Sequence, residues 1–230
     1  MSPLRYPDAS PHPWPTGEDI LDRSQPPARV WIPGSPILVL GNSQSAEAEL
    51  DVDAARADGV PVYQRKGGGG AVYLDARCVC VALRLRREKT SAIHDFFAAG
   101  NGLIQAALLE GFGVRAHLRG ISDLAWMEER HGRWEERKLS GSSLHLPRDC
   151  GVYLASILVN ADLKALDRYL RHPSREPDYR QGRGHADFVV NLATLSPGAT
   201  PEALKDALER EAARPEFRAM LDARTETGPA

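Results

Sequence analysis

The part of the sequence that most constrains the fold is residues 113–163, which contain four strand-like segments in succession and no helical pattern. These segments are GVRAHL, ISDLAWMEE, RWEERKLSGSSLHL and GVYLASILVNADL, and the first turns between them contain Arg119-Gly120 and His131-Gly132-Arg133. Successive strands joined by short turns pair as antiparallel hairpins. The sequence therefore predicts a mainly antiparallel β-sheet as the body of the protein.

Helical patterns surround these strands. Apolar residues recur at helical spacing over 91–110 and over 162–170, and Thr200 is the predicted N-cap of a last helix. A further helix is predicted over 46–59. Helices inserted between groups of antiparallel strands indicate an α+β fold, with a mainly antiparallel sheet flanked by α-helices.

Further strands are predicted in the first third of the chain. The apolar runs on either side of Pro33-Gly34 predict a hairpin, and 61–65 resumes as a strand. Residues 71–85 read as one strand, within which large apolar residues alternate with smaller or polar ones over 79–85. This alternation predicts a strand with one face more buried than the other.

The charge balance excludes partners that bind by bulk electrostatic attraction. The 230 residues include 29 Lys and Arg against 31 Asp and Glu, for a net charge of -2. No excess positive charge is available for nucleic acid or an acidic membrane surface. No signal-peptide pattern is seen, and no apolar run approaches the roughly 18 residues of a membrane span. These features predict a cytoplasmic protein with a specific partner, without nucleic-acid or membrane binding.

A run of glycines, Gly67–Gly70, follows directly after Arg65 and Lys66. Ordering four consecutive glycines costs entropy, and none offers a side chain to a core, so packing does not explain them. Their backbone N–H groups, next to cationic side chains, could hold a phosphate. The spacing fits neither the Walker A pattern nor GxGxxG opening a helix, and a flexible hairpin loop explains the run equally well.

A lysine provides the second element. Lys138 precedes a run of small residues, 140–143, inside an otherwise strand-like segment about seventy residues after the glycines. A lone lysine on a strand is usually solvated, so the interpretation depends on the combination of the two elements.

Together these elements resemble the lipoate–protein ligase and octanoyltransferase family, which is related to the biotin–protein ligases. Six ordered matches carry the resemblance, over about residues 35–195. They are Gly41-Asn42-Ser43-Gln44 (family G-R-x-Q), residues 65–75 (R-x-S-G-G-G-A-V-[FY]-H-D), Ser122-Asp123-Leu124 (N-D-L), 137–143 (R-K-x-S-G-S-A), 154–163 (H-G-T-L-L-L-N-A-D-L) and Val190-Asn191-Leu192 (T-N-L).

The resemblance implies an enzyme that uses ATP and Mg²⁺ to join lipoate or octanoate to AMP. It then passes the acyl group to one lysine of a lipoyl-domain acceptor protein, either E2-like or like the H protein of glycine cleavage. A carboxylate is a poor acyl donor, and the mixed anhydride with AMP supplies a leaving group. The protein must hold two anions together, which requires cationic and N–H donors more than a general base.

The resemblance also implies roles for individual residues. Lys138 is predicted to be the catalytic cation between the acyl carboxylate and the α-phosphate, and Arg65 the second cation. Asp123 either orders the adenosine or Mg²⁺ or caps a turn, and Asn160 either binds the nucleotide or ends a strand. The remaining predicted substrate-binding residues are Gly68, Gly69, Gly70, Ala71, Asp75, Ser140, Gly141 and Ser142. The glycines would let the backbone lie against the acyl-adenylate.

The sequence departs from the family at three positions. Gly67, Leu74 and Leu154 stand where the family pattern has serine, histidine and histidine. A mechanism based on imidazole is therefore weakened, whereas adenylation supported by electrostatics is not.

Cysteine placement favours a ligase over a transferase. Transferases of the family work through an acyl-thioester, and the two segments where they carry the cysteine, 118–126 and 171–178, contain none here. The three cysteines are Cys78, Cys80 and Cys150, which are predicted to be reduced and unliganded, with Cys150 on a turn. The alternatives are an octanoyl or lipoyl transferase that moves the acyl group between carrier proteins without ATP, and a non-catalytic module that binds lipoyl domains. Biotin is disfavoured because its GRGRxxR-like loop is absent.

The resemblance divides the chain into three parts. Residues 1–30, rich in proline, are predicted to be an irregular N-terminal arm, and 31–195 the catalytic domain. Residues 196–230 can supply a helical extension but no large accessory domain. Either a separate accessory subunit provides the lid over the adenylate, or the compact form works without one.

Overall fold

The computed structural model describes residues 16–130 and 132–222. The predicted arm before residue 16 and the predicted turn residue His131 lie outside the described residues. The strands, in chain order, are β1 (Ala28–Trp31), β2 (Ile37–Leu40), β3 (Val62–Gln64), β4 (Val72–Leu74), β5 (Cys78–Arg86), β6 (His117–Arg119), β7 (Asp123–Arg130), β8 (Arg133–His145) and β9 (Cys150–Leu158).

The body of the protein is a six-stranded sheet in the order β1-β5-β9-β8-β7-β6. Every neighbouring pair in it is antiparallel. Strands β6 to β9 follow one another along the sheet as hairpins, which is the arrangement that the sequence predicts. The predicted α+β fold with a mainly antiparallel sheet is confirmed.

The three remaining strands form a smaller sheet in the order β3-β2-β4, in which β2 is parallel to β3 and antiparallel to β4. The predicted hairpin across Pro33-Gly34 is therefore wrong, because β1 pairs with β5 and β2 belongs to the other sheet. The predicted single strand over 71–85 is likewise two strands, separated by a turn at Asp75–Arg77 that carries the chain from one sheet to the other.

Strand β5 is buried on both faces, which corrects the expectation of one more exposed face. Its larger residues, such as Val81 and Leu83, face the main core, while Cys78 and Cys80 pack against Ile37 and other residues of the smaller sheet. The alternation of large and small side chains therefore reflects two unequal buried faces, because small side chains let the smaller sheet approach closely.

The helices flank the sheets. They are α1 (Ala46–Glu49), α2 (Val52–Ala57), α3 (Ile93–Phe112), α4 (Leu163–Tyr169), α5 (His185–Phe188), α6 (Leu192–Leu195), α7 (Pro201–Ala212) and α8 (Pro215–Arg218). The predicted helix over 46–59 is divided into α1 and α2, because Leu50 leaves the helical conformation and bridges to Leu170. Helix α3 lies close to β9 at Gly100, where a Cβ would come within 2.5 Å of the Tyr153 ring.

The described parts of the predicted arm and extension pack against the larger sheet, on opposite faces of it. A short 3-10 helix, Glu18–Leu21, buries Ile20 against β5 and β9. Helix α7 buries Leu204 and Leu208 in the core that α3 also lines. Within the described residues, no helix is long and apolar enough to cross a membrane.

The composition of residues 172–188 predicts a long polar loop, but the segment 171–189 that contains them is partly ordered secondary structure. It contains a 3-10 helix, Asp178–Arg180, and α5. Tyr179 and Phe188 are buried, with ring centroids 5.0 Å apart. These aromatic side chains hold the segment against the sheet, so it forms a fixed wall above β7 and β8.

Candidate active site

Two cavities meet between the larger sheet and the glycine run. One has a volume of about 260 Å³ and lies under the segment 171–189, and we name it the charged cavity. The other has a volume of about 140 Å³ and lies between the two sheets, and we name it the apolar cavity. The residues that line both are Gly70, Ala71, Val72, Ser122, Asp123, Lys138, Gly141 and Ser156. A ligand could therefore extend from one cavity into the other past these residues.

A lysine–aspartate pair lies at this junction. The Lys138 ammonium is 2.9 Å from Oδ1 of Asp123, and 29% of the lysine side chain is exposed. Oδ2 of Asp123 accepts a hydrogen bond from the Tyr179 hydroxyl at 3.0 Å, and Oδ1 accepts one from Ser122 at 3.2 Å. Asp123 is buried, so its carboxylate fixes the position of the ammonium, which still faces both cavities. Burial, followed by the Asp123 charge, raises the pKa of Tyr179, which keeps it a hydrogen-bond donor.

The backbone explains how β8 presents this lysine. Lys138 pairs with Ala125 but Ser140 pairs with Leu124, so Leu139 is an extra residue in β8. Such β-bulges redirect side chains and are frequent next to active sites. The ammonium then lies over Gly141, where a Cβ would be 2.7 Å from Nζ. The small-residue run after Lys138 is thus explained by the path of the lysine side chain.

The glycine run forms a loop that its own arginine organises. Arg65 is buried, and its guanidinium donates to the carbonyl oxygens of Gly68 at 2.8 Å and Gly70 at 2.9 Å. Gly69 has φ +96°, a conformation that side chains rarely adopt, and its carbonyl oxygen lies 2.1 Å from where a Cβ of Gly41 would be. Burial lowers the pKa of Arg65 to about 10, so the guanidinium stays charged at neutral pH.

The apolar cavity is lined by side chains without charge, apart from Arg65 and the residues at the junction. Trp31, Val39 and Cys80 contribute to it. Leu74 and Leu154, two of the positions that depart from the family pattern, face this same cavity although they are distant in sequence. Both departures therefore make one binding region more apolar, and neither removes a group from the junction.

The charged cavity is different in composition. Arg171, Arg175 and Arg180 line it together with Tyr73 and Phe188. The rest of its wall includes aliphatic side chains, namely Leu139, Leu158, Leu166, Leu170 and Val189. Sequence reasoning missed the arginines and aromatic residues, although three arginines and an aromatic residue within a segment adjacent to a family element were a signal for an anion site. Cationic and aromatic side chains around one cavity suit a ligand that combines phosphates with a base.

Most of the predicted site residues lie around the junction, and three do not. Those that line at least one cavity are Arg65, Gly69, Gly70, Ala71, Asp123, Lys138, Ser140, Gly141 and Ser142. In the described part of the chain, Gly68, Asp75 and Asn160 line neither cavity. The Gly68 carbonyl binds Arg65, the buried Asp75 carboxylate binds Arg77 in the turn before β5 at 2.9 Å, and Asn160 is exposed just beyond the end of β9.

The two predicted site serines beside the junction are structural donors. Ser140 donates to the Ser156 carbonyl at 2.9 Å, and Ser142 donates to the Ser122 carbonyl at 2.6 Å. Asn191 of the V-N-L element bonds both backbone groups of Ala161, at 2.9 and 3.0 Å. These bonds fix the strand ends around the junction.

The side chains do not fit a magnesium ion held by the protein alone. The described residues contain no group of three or more His, Cys, Asp or Glu side chains that could hold a metal. Asp123, the predicted ligand, already binds Lys138, Tyr179 and Ser122. Mg²⁺ commonly binds through one or two carboxylates and substrate phosphates, so a metal here would depend on the substrate.

The fold recurs in solved lipoate ligases. The bipartite lipoate protein ligase of Thermoplasma acidophilum, described with its E2 lipoyl domain, is 21% identical, with a TM-score of 0.71 over 93% of this chain and 81% of that chain. A lipoate-protein ligase A bound with ATP is 22% identical, with a TM-score of 0.69 over 93% of this chain and 83% of that chain. P. falciparum LipL1 in complex with lipoate is 24% identical, with a TM-score of 0.64 over 84% of this chain and 49% of that chain.

The sequence itself shows the family. The sequence model of the lipoyl protein ligase A/B catalytic domain matches residues 18–213. The match begins within the predicted N-terminal arm and ends within the predicted helical extension, in agreement with the packing of both segments against the larger sheet. The chain belongs to the lipoyl protein ligase A/B catalytic-domain family.

Proposed function

We propose that this protein is an ATP-dependent lipoate–protein ligase, which activates free lipoate or octanoate as acyl-AMP and transfers the acyl group to a lysine of a lipoyl-domain protein. The observation that carries the proposal is the position of Lys138, at the junction of an apolar cavity and a charged cavity. A cation at that place can neutralise two anions that enter from opposite sides.

The composition of the cavities supports a placement of the two substrates. The apolar cavity suits the acyl chain, because its walls offer Trp31, Val39 and Leu74 for hydrophobic contact. The charged cavity suits ATP, because it offers arginines for the phosphates and aromatic rings for the base. The carboxylate of the acyl chain and the α-phosphate then meet beside Lys138.

The proposed reaction has two steps. A carboxylate oxygen attacks the α-phosphorus as the bond to pyrophosphate breaks, and Lys138 neutralises the charge that is brought together. The acceptor lysine, as a neutral amine, then attacks the acyl carbonyl, AMP leaves, and the amine proton passes to solvent. Neither step requires the histidines that the family pattern has at Leu74 and Leu154. Mg²⁺ enters as part of the MgATP substrate.

The known structures support this choice of substrates. One relative is bound with ATP and another with lipoate, and the T. acidophilum ligase is described with an E2 lipoyl domain. An E2-like or H-like lipoyl domain is therefore the proposed acceptor. The same T. acidophilum ligase is bipartite, which supports a separate accessory subunit as a second proposed partner.

Incubation of the protein with a purified lipoyl domain, lipoate and MgATP tests the ligase assignment. We expect mass spectrometry to show one lipoyl group added to the acceptor, with release of pyrophosphate, and no addition when ATP is omitted. The competing transferase predicts the reverse requirement, namely an octanoyl or lipoyl carrier protein as donor and no dependence on ATP. Acyl transfer from the carrier at the same rate without ATP would refute the ligase assignment.

Cys150 should be dispensable. It is the first residue of β9 rather than a turn residue, it is buried, and it lines neither of the two cavities. Burial raises the pKa of its thiol, which disfavours the nucleophilic thiolate. We expect Cys150→Ser to keep lipoylation within about threefold of the wild-type rate, since a lost hydrophobic contact is the main change. A loss above about a hundredfold, more than 2.7 kcal/mol, in a protein with unchanged circular dichroism would favour the thioester mechanism.

A further inference from the structure

The charged cavity contains a guanidinium with an unused donor. Arg180 lies in the 3-10 helix of segment 171–189, lines the charged cavity, and is 5% exposed. Its Nε donates to the Arg183 carbonyl at 2.9 Å, and its Cζ lies 4.9 Å from the centre of the Phe188 ring. Among the described residues, its Nη2 finds no hydrogen-bond partner although it is buried.

An unpartnered buried donor on a charged group is costly. The nearest carboxylate, Glu176, lies 3.6 Å from Nε and does not satisfy Nη2. Burial lowers the pKa of Arg180, yet an arginine remains protonated at neutral pH. Arg180 is therefore a desolvated cation at the wall of a cavity, and one of its hydrogen-bond donors is unused. An anionic ligand in the cavity would give that donor an acceptor.

The surroundings favour an anion of high charge. Lys138, Arg171, Arg175 and Arg180 line the charged cavity, against the carboxylates of Glu49 and Asp123. The two carboxylates are already paired, Asp123 with Lys138 and Glu49 with the Ser174 hydroxyl. The whole chain has a net charge of -2, so this excess of positive charge is local.

The position of Arg180 indicates which part of the ligand it binds. Lys138 lines both cavities, whereas Arg180 lines only the charged cavity. In phosphoryl and nucleotidyl transfer the attacking and leaving oxygens are roughly in line. A carboxylate that attacks the α-phosphorus from the apolar cavity therefore directs pyrophosphate away from Lys138, into the charged cavity.

We infer that Arg180 binds the β- and γ-phosphates of ATP and hence the departing pyrophosphate, an inference that rests on the proposed ligase function. Arg180 lines this cavity, so a phosphate bound there lies beside its guanidinium. Because Nη2 has no protein acceptor to give up, a phosphate oxygen that reaches it adds a charge-assisted hydrogen bond without breaking one within the described protein. Arg180 is thus a residue that distinguishes ATP from AMP.

Calorimetric titration of the full chain with MgATP, AMP and magnesium pyrophosphate, in the absence of lipoate, tests the inference. We expect Arg180→Met to weaken ATP and pyrophosphate binding by about tenfold to a hundredfold, which is the range for one hydrogen bond to a charged group. AMP binding should change less than about threefold, because the α-phosphate lies beside Lys138. The melting temperature without ligand should fall by only about 2 to 4 °C, because the variant loses the Nε hydrogen bond to the Arg183 carbonyl, whereas the Nη2 donor that it also removes is unpaired.

Arg183→Met is the matched control. Arg183 lies in the same segment, also faces the Phe188 ring and also has one buried nitrogen, Nη1, without a partner among the described residues. It does not line the charged cavity, and its Nη2 donates to the carbonyls of Glu136 at 2.9 Å and Tyr179 at 2.6 Å. Its loss should lower the melting temperature without a selective loss of pyrophosphate binding.

The outcomes separate the two proposals. A wild-type protein that makes adenylate while Arg180→Met binds pyrophosphate with unchanged affinity would overturn the role of Arg180 alone. An equal loss of ATP and AMP affinity would also overturn it, since Arg180 would then act on the α-phosphate or on the fold. A wild-type protein that binds neither nucleotide nor pyrophosphate would overturn both.

Discussion

Lys138→Ala should abolish most adenylate formation, with a decrease of about a hundredfold to a thousandfold in lipoate-dependent pyrophosphate release. The ammonium lies where the two cavities meet, so its loss leaves two anions to approach each other without a cation between them. Donors that stabilise developing charge in a partly desolvated site are each worth about 3 to 4 kcal/mol. Lys138→Arg should restore little of this activity, because a planar guanidinium does not replace a compact ammonium between two oxygens.

Lys138→Ala should also change the stability of the protein. The structure predicts a larger loss of stability than the sequence alone. The sequence suggests a lysine head group that faces an open pocket, so its removal should barely affect folding. The structure instead pairs the ammonium with buried Asp123 at 2.9 Å. Removing it leaves a buried carboxylate with only the hydroxyls of Tyr179 and Ser122, which we expect to lower the free energy of unfolding by about 1 to 3 kcal/mol.

A double variant separates the chemical from the structural effect. Lys138→Ala combined with Asp123→Asn removes the unpaired charge, so the melting temperature should recover most of the loss. Adenylate formation should remain as low as in the single variant, because the cation is still missing. If the double variant, or a folded single variant, made adenylate at more than about a tenth of the wild-type rate, a difference of 1.4 kcal/mol, Lys138 would not be the central cation.

The sequence could predict the junction because its parts are local motifs. Lys138 with Gly141, and the glycine run with Arg65, each place a functional group and the small residues around it within a few positions. Residues within one short motif stay close together in space, whichever strands pair around them. Nine of the predicted site residues accordingly line the cavities.

The predictions that were wrong concern features that depend on contacts between residues distant in sequence. Asp75 looked like a site residue by motif position, but its carboxylate is taken up by Arg77 in the turn that joins the two sheets. Periodicity could not show that turn, because Asp75, Ala76 and Arg77 continue the alternation of polar and apolar residues into β5. The division of strands between two sheets was missed for the same reason.

The charged cavity was missed because its wall has little local regularity. Arg180 is followed by a residue with positive φ, Gln181, and the segment around it contains only short helical turns. Nothing in its spacing shows that Tyr179 reaches Asp123 across 56 positions of sequence. Aromatic residues within a polar segment were the only signal that it is anchored.

The glycine run also has a different explanation at each position. The sequence suggests that any Cβ in the run would collide with the ligand. The structure shows that Gly69 is required by its φ of +96°, and that a Cβ there would lie 3.0 Å from the Arg65 guanidinium. A bulky residue at Gly69 would therefore distort the loop itself, and its effect on binding would not report on the ligand.

Gly70 provides the cleaner test. It lines both cavities, has no positive φ, and its Cβ would meet no atom of the described residues within 4 Å. We expect Gly70→Val to fold normally and to weaken binding of a stable acyl-adenylate analogue by roughly a hundredfold or more, about 2.7 kcal/mol, because the side chain occupies the space at the junction. Equilibrium binding of the analogue, together with thermal melting, measures both effects.

Gly68→Val is the matched control for this experiment. Gly68 shares the loop, the absence of a positive φ and the open space around its Cβ, but within the described chain it lines neither cavity. Both variants add the same side chain to the same loop, so they carry the same penalty from chain entropy and loop flexibility. Only the Gly70 side chain should compete with the ligand, and the Gly68 variant should bind the analogue within about threefold of the wild type, less than 0.7 kcal/mol. Equal affinities of the two variants would mean that the ligand does not pass through the junction, and the assignment of acyl chain and nucleotide to the two cavities would then be wrong.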